Sequence, residues 1–365
     1  MPVTILVAPA AFRGSLGPRL VAEALAEGAR RAAPWALVLA CPLADGGDGL
    51  LEAVLAPGAL REPVPVTGPL GRPVQADIGW IDAETAIVES AAACGLRLLQ
   101  VEERDPLATT SRGVGELVAE AVERGATTVM VGLGGSATVD GGTGAARALG
   151  WRLKDAAGQD LPEGGGALAS LAELDPGWKL SARVVALTDV TNPLIGPEGA
   201  AWVFGPQKGA SPADVERLDA GLGRLAELMA RHGRPELATL AGGGAAGGLG
   251  AGLAFFAGAE LVGGAGWVLE RVGFDAALAR ADLVLTGEGA VDLTSLAGKV
   301  VGEVLARARA ARKRAVVVAG AVREGIELAW PDARLLAGDG AMLDGPAIGR
   351  LAQRGVQEAL GLPGP

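Results

Sequence analysis

The 365-residue chain carries one histidine, two cysteines and only 32 Lys and Arg against 42 Asp and Glu, for a net charge of -10. Without a second imidazole, neither a Ser-His-Asp triad nor a His-rich zinc site can assemble. The single imidazole, His232 in MARHGRPE, stands beside Gly233 where a helix should end, which points to a capping or solvent-facing role. Cys41 and Cys94 are far apart and outside any metal-ligand spacing, so they read as two buried thiols rather than a disulfide or a site. The acidic balance has the wrong sign for a phosphodiester backbone or an anionic membrane surface.

Long apolar runs are also missing. AGGGAAGGLGAGLAFFAGAEL, residues 241–261, is nearly uncharged, yet it is dense in glycine and poor in Leu, Ile and Val. It reads as a glycine-rich loop entering a buried helix rather than as a membrane span. MPVTILVAPAAF runs directly into a strand pattern, with no basic start, apolar core and cleavage site, so a cytoplasmic location is expected. The seven Trp are scattered and read as core or domain-packing residues, with no stacking platform.

Half of the residues are hydrophobic, enough for a sizeable core, and this length at roughly 150 residues per domain argues for two domains. The 58 glycines show no three-residue period and cluster in short runs, marking loops that approach ligands or backbone closely. TILVAPA, LVAEALAEGARRA, ALVLACPL and DGLLEAVL read as strand, helix, strand and helix. The alternation returns in ADLVLTGEG, GKVVGEVLARARAA, RAVVVAGA, ARLLAGDG and AIGRLAQRGVQEALG, so the two chain ends read as halves of one parallel sheet. Between them, REPVPVTGPLGRPVQADIGWID has the character of a β-hairpin; TAIVESAAACG, GVGELVAEAVERG, TTVMVGLGGS and ARVVALTDV then alternate again. The expected fold class is α/β: one domain from residues 1–60 and 270–365, and a second α/β domain inserted at 61–269.

Open α/β sheets bind ligands at the carboxyl ends of their strands, so polar clusters that end a strand carry most weight. CPLADGGDG sets Asp45 and Asp48 among glycines at a strand-to-helix join, where carboxylates suit Mg²⁺ shared with phosphates, and where Asp48 equally suits a helix cap. In TDVTNPL, Asp189, Thr191 and Asn192 form an oxygen-rich turn for a metal or a substrate hydroxyl, or a plain Asx turn. TGEGAVD, after ADLVL, offers Glu288 and Asp292, with Lys299 following. A carboxylate and an ammonium on one crevice fit phosphoryl transfer; a surface ion pair fits the same residues. TTSRGVGEL places Arg112 at a helix start, a fork for a carboxylate or phosphate, with Ser111 as a cap or a ligand contact. GLGGSATVDGGTG, residues 132–144, contains Gly132, Gly134 and Ala137 in G-x-G-x-x-A spacing with Asp155 downstream, which is literally a dinucleotide fingerprint. However, Thr138, Asp140, Gly141 and Gly142 intervene before helical content, and no Gly-Lys-Ser/Thr follows for a P-loop. Its backbone N–H groups, with Ser136 and Thr138, can bind an anion without either motif.

Nine stretches in collinear order span residue 6 to about 301: PLADGGDG, VTGPLG, VESAAACGL, RDPLATTSRGVGEL, GLGGSATVDGGTG, DVTNPLIGPEGAA, FGPQKGAS, GGAAGGLGAGL and LVLTGEGAVD with GKV. Together they resemble the bacterial glycerate kinases of the two-domain type, relatives of the glycerate 2-kinases. The resemblance implies two α/β domains, one flavodoxin-like with a parallel sheet built from both chain ends, the other inserted and mixed. It also implies phosphorylation of D-glycerate by ATP with Mg²⁺, most often at the 2-hydroxyl, so 2-phosphoglycerate is expected over 3-phosphoglycerate.

Chemistry placed on the matching motifs assigns the ATP phosphates to Gly134, Gly135, Ser136 and Thr138, with Lys208 or Lys299. The metal falls to Asp45, Asp48 and Asp189, and the glycerate carboxylate to Arg112, with Arg13, Asn192 and Ser111 as further substrate contacts. Asp189, Glu288 or Asp292 accepts the hydroxyl proton. The site is expected in the crevice between the domains, whose closure excludes water. The expected partner is a small hydroxy acid, not nucleic acid or membrane, and a homodimer is compatible with the sequence. Relatives usually read Pro-Asp-Ser-Phe/Tyr-Lys where this chain has Pro9-Ala10-Ala11-Phe12-Arg13. They read Thr-Asn-Asp-Gly-Gly at Thr138-Val139-Asp140-Gly141-Gly142, and Gly-Glu-Gly-Arg at Gly287-Glu288-Gly289-Ala290. These lost polar groups keep a non-catalytic or substrate-shifted relative open as an alternative, and the G-x-G-x-x-A spacing keeps a nicotinamide-dependent dehydrogenase.

Overall fold

Apolar runs without a polar break bury both faces of a strand, as the inner strands of a parallel sheet require. TILV at Thr4–Val7 (β1) is such a run and is buried throughout. The computed structural model describes residues 3–12, 15–291, 299–322, 332–338 and 342–363. The chain divides into two compact units, Met1–Val54 with Gly263–Pro365, and Leu55–Val262.

In the first unit β1 is joined by Leu37–Ala40 (β2), Leu283–Val291 (β11), Arg314–Val322 (β12) and Ala333–Ala337 (β13), with strands numbered along the chain. The order is β13-β12-β11-β1-β2 and every pairing is parallel. Counted within the unit, this is the 2-1-3-4-5 order of flavodoxin-like sheets. Helices Pro18–Ala32 and Gly345–Leu360 bury Val21, Leu25, Ile348 and Val356 in one core with Ile5, Val7 and Leu285. The strand expected to stop at ADLVL continues through Val291, so Glu288 lies within β11, paired with Ala319, rather than in a turn beyond it. Gly287 permits this close pairing, because a Cβ there would overlap the Val318 carbonyl oxygen.

The second unit holds Arg61–Thr67 (β3), Pro73–Trp80 (β4), Thr85–Glu89 (β5), Thr128–Gly132 (β6), Arg183–Leu187 (β9) and Glu260–Val262 (β10) in the order β10-β9-β6-β5-β4-β3. β3 to β5 are antiparallel, and β5, β6, β9 and β10 are parallel. This is a mixed sheet, with the expected hairpin at β3–β4. A separate antiparallel pair joins Arg152–Lys154 (β7) to Glu173–Asp175 (β8).

The divisions fall after Val54 and Val262, where the sequence reading had placed 60 and 269. The Leu60 carbonyl already accepts the Trp80 N–H, and helix Gly264–Arg271 packs on helix Leu50–Val54 of the first unit. The tryptophans meet the expectation only in part: Trp80 and Trp151 are partly buried and pack against the core of the second unit, whereas Trp35, Trp178 and Trp202 are exposed. A half-exposed position lets an indole N–H reach a partner: Trp80 donates to Glu62 at 2.6 Å and Trp151 to the Phe256 carbonyl at 3.1 Å. His232 caps helix Pro212–Arg231, with Nδ1 2.9 Å from the Leu228 carbonyl, and both cysteines are free and buried. Among the described residues no helix is long and apolar enough to cross a membrane.

Candidate active site

The carboxyl ends of β5, β6 and β9 converge, because these strands are neighbours and parallel: Glu89 pairs with Gly132, and Gly132 with Leu187. Each runs into a polar segment: Ser90 after β5, the glycine-rich loop after β6, and Thr188–Asn192 after β9. The loop is stitched to the segment after β5. Leu96 N–H donates to the Gly135 carbonyl, Ala137 N–H donates to Cys94, and Ser90 Oγ lies 3.3 Å from the Gly134 nitrogen and oxygen. The loop is also tied to the stretch expected to enter a buried helix. That helix, Ala245–Phe256, opens with Ala246, Gly247 and Gly248 at positive φ, and Gly141 N–H donates to the Gly247 carbonyl. Gly244 N–H in turn donates to the Asn192 carbonyl.

Asp140, completely buried, organises this cluster. Its Oδ2 accepts Ser111 N–H at 2.9 Å, Ser111 Oγ–H at 2.8 Å and Gly144 N–H at 3.1 Å, and its Oδ1 accepts Gly142 N–H at 3.1 Å. Burial raises the carboxyl above the ordinary Asp range against the pull of these hydrogen bonds. The N–H groups from Gly141 to Gly144 are therefore engaged within the protein, those of Gly142 and Gly144 by the Asp140 carboxylate, Thr143 by the Asp140 carbonyl and Gly141 by the Gly247 carbonyl, and are not donors for a ligand. The first half differs. Gly135 is exposed and at φ +63°, and among the described residues no acceptor is found for the N–H groups of Gly135 and Ser136. Helix Thr143–Ala148 begins six residues after Ala137, so the literal dinucleotide fingerprint is not formed, and Asp155 binds only its own turn.

Several predicted contacts meet in this cluster, though some differ from expectation. Ser111 is fully buried; its hydroxyl donates to Asp140 and accepts Ala145 N–H, so it braces the loop instead of capping helix Arg112–Glu123 or facing a substrate. Thr138 is buried and its hydroxyl lies 3.5 Å from the Ala246 carbonyl. Lys208 is only 3% exposed, with Nζ donating to Ser136 Oγ at 3.0 Å and to the Thr138 carbonyl at 2.7 Å. Its ammonium thus sits beneath the loop rather than at a ligand-facing surface. Arg112 is half-exposed, and its guanidinium is forked onto Glu163, with Nε to Oε1 at 2.6 Å. Burial alone would raise the Glu163 carboxyl, but hydrogen bonds from Arg112 and Thr110 outweigh it and hold the group below its ordinary value. Asp189 is half-buried just past β9, and Asn192 donates its amide to the Glu198 carbonyl at 2.8 Å.

The first unit has its own polar set at the carboxyl ends of its strands. Asp45, half-buried, follows β2 and accepts Gly47 N–H at 3.1 Å; Asp48 is exposed; Glu288 lies in β11, and Lys299 occupies the N-cap position of helix Val300–Ala310. Arg13 and Asp292 lie outside the described residues. Among the described residues no three His, Cys, Asp or Glu side chains gather as a metal cluster. The sequence reading gave no role to Glu163 or to Arg147, whose guanidinium donates to the Leu161 carbonyl at 2.6 Å. Neither sits in a strand-ending motif.

Three buried groups make stability pH-dependent. Burial pushes Lys208 down from 10.5 to about 8, partly countered by Cys94 and Asp140. Burial pushes Cys41 up from 9.0 to about 11, and burial with the nearby Asp140 pushes Cys94 up to about 12. Between pH 8 and 10.5 the unfolded chain holds a proton on Lys208 that the folded chain has released, so this contribution rises with pH by up to ~1.4 kcal/mol per unit. The thiol contributions are intact below pH 9.0 and are lost above it, and two thiols then outweigh one lysine. Urea unfolding followed from pH 7 to 11 should therefore give a maximum near about pH 9, and Lys208→Met should remove the rise that precedes it.

Residues 5–333 match the glycerate kinase family. The chain is 44% identical over 330 residues to the Escherichia coli K12 protein named glycerate 2-kinase, covering 88% of this chain and 86% of that one. It is 44% identical over 302 residues to Bacillus subtilis 168 glycerate kinase, covering 81% and 79%. A solved structure assigned as glycerate kinase 2 of Salmonella typhimurium LT2 aligns with a TM-score of 0.80 at 40% identity, over 99% of each chain.

Proposed function

The chain belongs to the glycerate kinase family, and on that premise we propose that it is an ATP-dependent glycerate kinase forming 2-phosphoglycerate in preference to 3-phosphoglycerate. The observation that carries this reading is the turn Gly134–Gly135 at the carboxyl end of β6, where Gly135 is exposed and the N–H groups of Gly135 and Ser136 have no protein acceptor among the described residues. Such a turn suits the oxygens of a phosphate chain. Phosphoryl transfer asks little covalent chemistry of a protein; positioning and charge stabilisation supply most of the rate.

Arg112 recognises the glycerate carboxylate, which takes the place of Glu163 on the same guanidinium fork. Asp189 or Glu288 takes the hydroxyl proton as the oxygen attacks the γ-phosphorus. Mg²⁺ binds through one or two carboxylates and takes its other ligands from phosphate and water, so it does not require a cluster of three carboxylates, and none is found among the described residues. Asp45, Asp48 and Asp189 are the carboxylates that would hold it, directly or through water. When bound, the ion offsets negative charge on the phosphates.

ADP release measured with and without D-glycerate tests the activity: release that depends on D-glycerate is expected, no release in either case would favour a non-catalytic relative, and release independent of D-glycerate would mean transfer to water. Feeding the product to enolase without a mutase tests the position, since only 2-phosphoglycerate is consumed directly. Of Asp189→Asn and Glu288→Gln, one should lower kcat by about 10²–10⁴-fold. If both variants turn over like the parent protein, neither residue is the base.

A further inference from the structure

The Lys208 ammonium stands under the glycine-rich loop without reaching solvent. It is carried by the short 3-10 turn Pro206–Lys208, and the chain then swings away at Gly209, φ +100°. Two of its three N–H bonds are directed to Ser136 Oγ and the Thr138 carbonyl. Ser136 is itself 3% exposed, and it is the next residue after the outward-facing Gly135. The ammonium therefore grips the loop one residue inside the point where its free donors emerge. The charged or titratable groups acting on Lys208 are Cys94, on the segment after β5, and Asp140, on the loop itself. Both are buried.

We propose that Lys208 is a positioning residue for nucleotide binding: from inside the protein it holds Ser136 and Thr138 so that the Gly134–Gly135 turn keeps the shape that receives a phosphate group. The role rests on the reading that this loop binds the phosphates of ATP, and it places no atom of Lys208 on the ligand. A lysine that touched phosphate directly would need an exposed ammonium, and this one is enclosed. The held form is the protonated one, because a neutral amine is a weaker donor to a hydroxyl and a carbonyl. Burial brings Lys208 to about 8, so the hold loosens as pH rises through that value.

The experiment compares Lys208→Met and Ser136→Ala with the parent protein. A charge-assisted hydrogen bond is worth about 10–100-fold in affinity. Lys208→Met should raise KM for ATP and the calorimetric Kd for ADP by a factor in that range, with KM for D-glycerate changed by less than about twofold. Ser136→Ala, which keeps the charge, should move the same two constants in the same direction. In the parent protein KM for ATP should climb above about pH 8, and in Lys208→Met it should be flat there.

Nucleotide constants unchanged in both variants, with only the urea midpoint lowered, would reduce Lys208 to a structural role and overturn the proposal. So would an equal rise in KM for both substrates. If Lys208→Met fails to fold, Ser136→Ala and the parent pH profile decide the matter. Failure of the underlying reading looks different: the parent protein would then bind no ADP at all.

Discussion

Asp140→Asn is expected to lower the unfolding free energy by about 3–5 kcal/mol and kcat/KM by about 100-fold, the first read from urea midpoints and the second from initial rates. Both carboxylate oxygens accept, Oδ2 from Ser111 N–H, Ser111 Oγ–H and Gly144 N–H, and Oδ1 from Gly142 N–H. An amide offers one oxygen and one NH₂. Turned to keep three acceptances, it points its own hydrogens at the Gly142 N–H; turned the other way, it abandons Ser111 and Gly144. In either orientation a buried donor loses its acceptor, and the negative charge that faces Lys208 is gone. The loss reaches activity because the same carboxylate sets the course of the loop from Gly142 to Gly144, and misplacing a binding loop by about 1 Å costs about 100-fold. Asp155→Asn is the matched control. Asp155 is half-buried, and one oxygen, Oδ1, accepts both Ala157 N–H and Gln159 N–H, so the amide can serve them equally. Its midpoint should shift by less than about 0.5 kcal/mol, and an equal shift in the two variants would show that Asp140 organises nothing.

Most of the fold was legible because its signals are local. Unbroken apolar runs marked β1, β6 and β9, and the Pro- and Gly-rich stretch around VTGPLG marked the β3–β4 hairpin. The extent of β11 was missed because TGEG reads as a turn, and only its pairing with β12 shows that Gly287 serves close strand contact. The candidate site was legible at the level of position: the strand-end rule found the glycine-rich loop and TDVTN at one end of the second sheet, whereas TTSR follows no strand and reaches the loop through Ser111 and Asp140.

What spacing could not supply was direction. Ser111 and Asp140 are 29 residues apart, and Lys208 and Ser136 are 72 apart, so nothing local says that these groups face each other instead of a ligand. Glu163 was passed over for the same reason, being 51 residues from the Arg112 it engages. Asp140 itself was noted only as a position in a glycine-rich motif, and its burial, not its neighbours in sequence, gives it its role.

Gly247→Ala should be the most damaging glycine substitution near the site, and Gly258→Ala shows why the space matters more than the backbone angle. Both glycines have positive φ, +72° and +64°. A side chain in the left-handed region costs roughly 1–2 kcal/mol, and at Gly258 that is the whole penalty, since a Cβ there meets nothing within 4 Å. At Gly247 the Cβ would overlap the Thr138 carbonyl oxygen and stand 2.8 Å from the Val139 Cα, both backbone groups that no rotamer change can move. The same carbonyl accepts from Lys208, so relieving the overlap must pull the loop away from the ammonium. Gly247→Ala is therefore expected to cost about 3 kcal/mol or more in unfolding free energy, combining backbone strain with overpacking. It should also raise KM for ATP, while Gly258→Ala shifts the midpoint by only about 1–2 kcal/mol and leaves KM unchanged. Equal midpoints and equal KM in the two variants would mean that the segment from Gly244 to Gly248 does not support the loop.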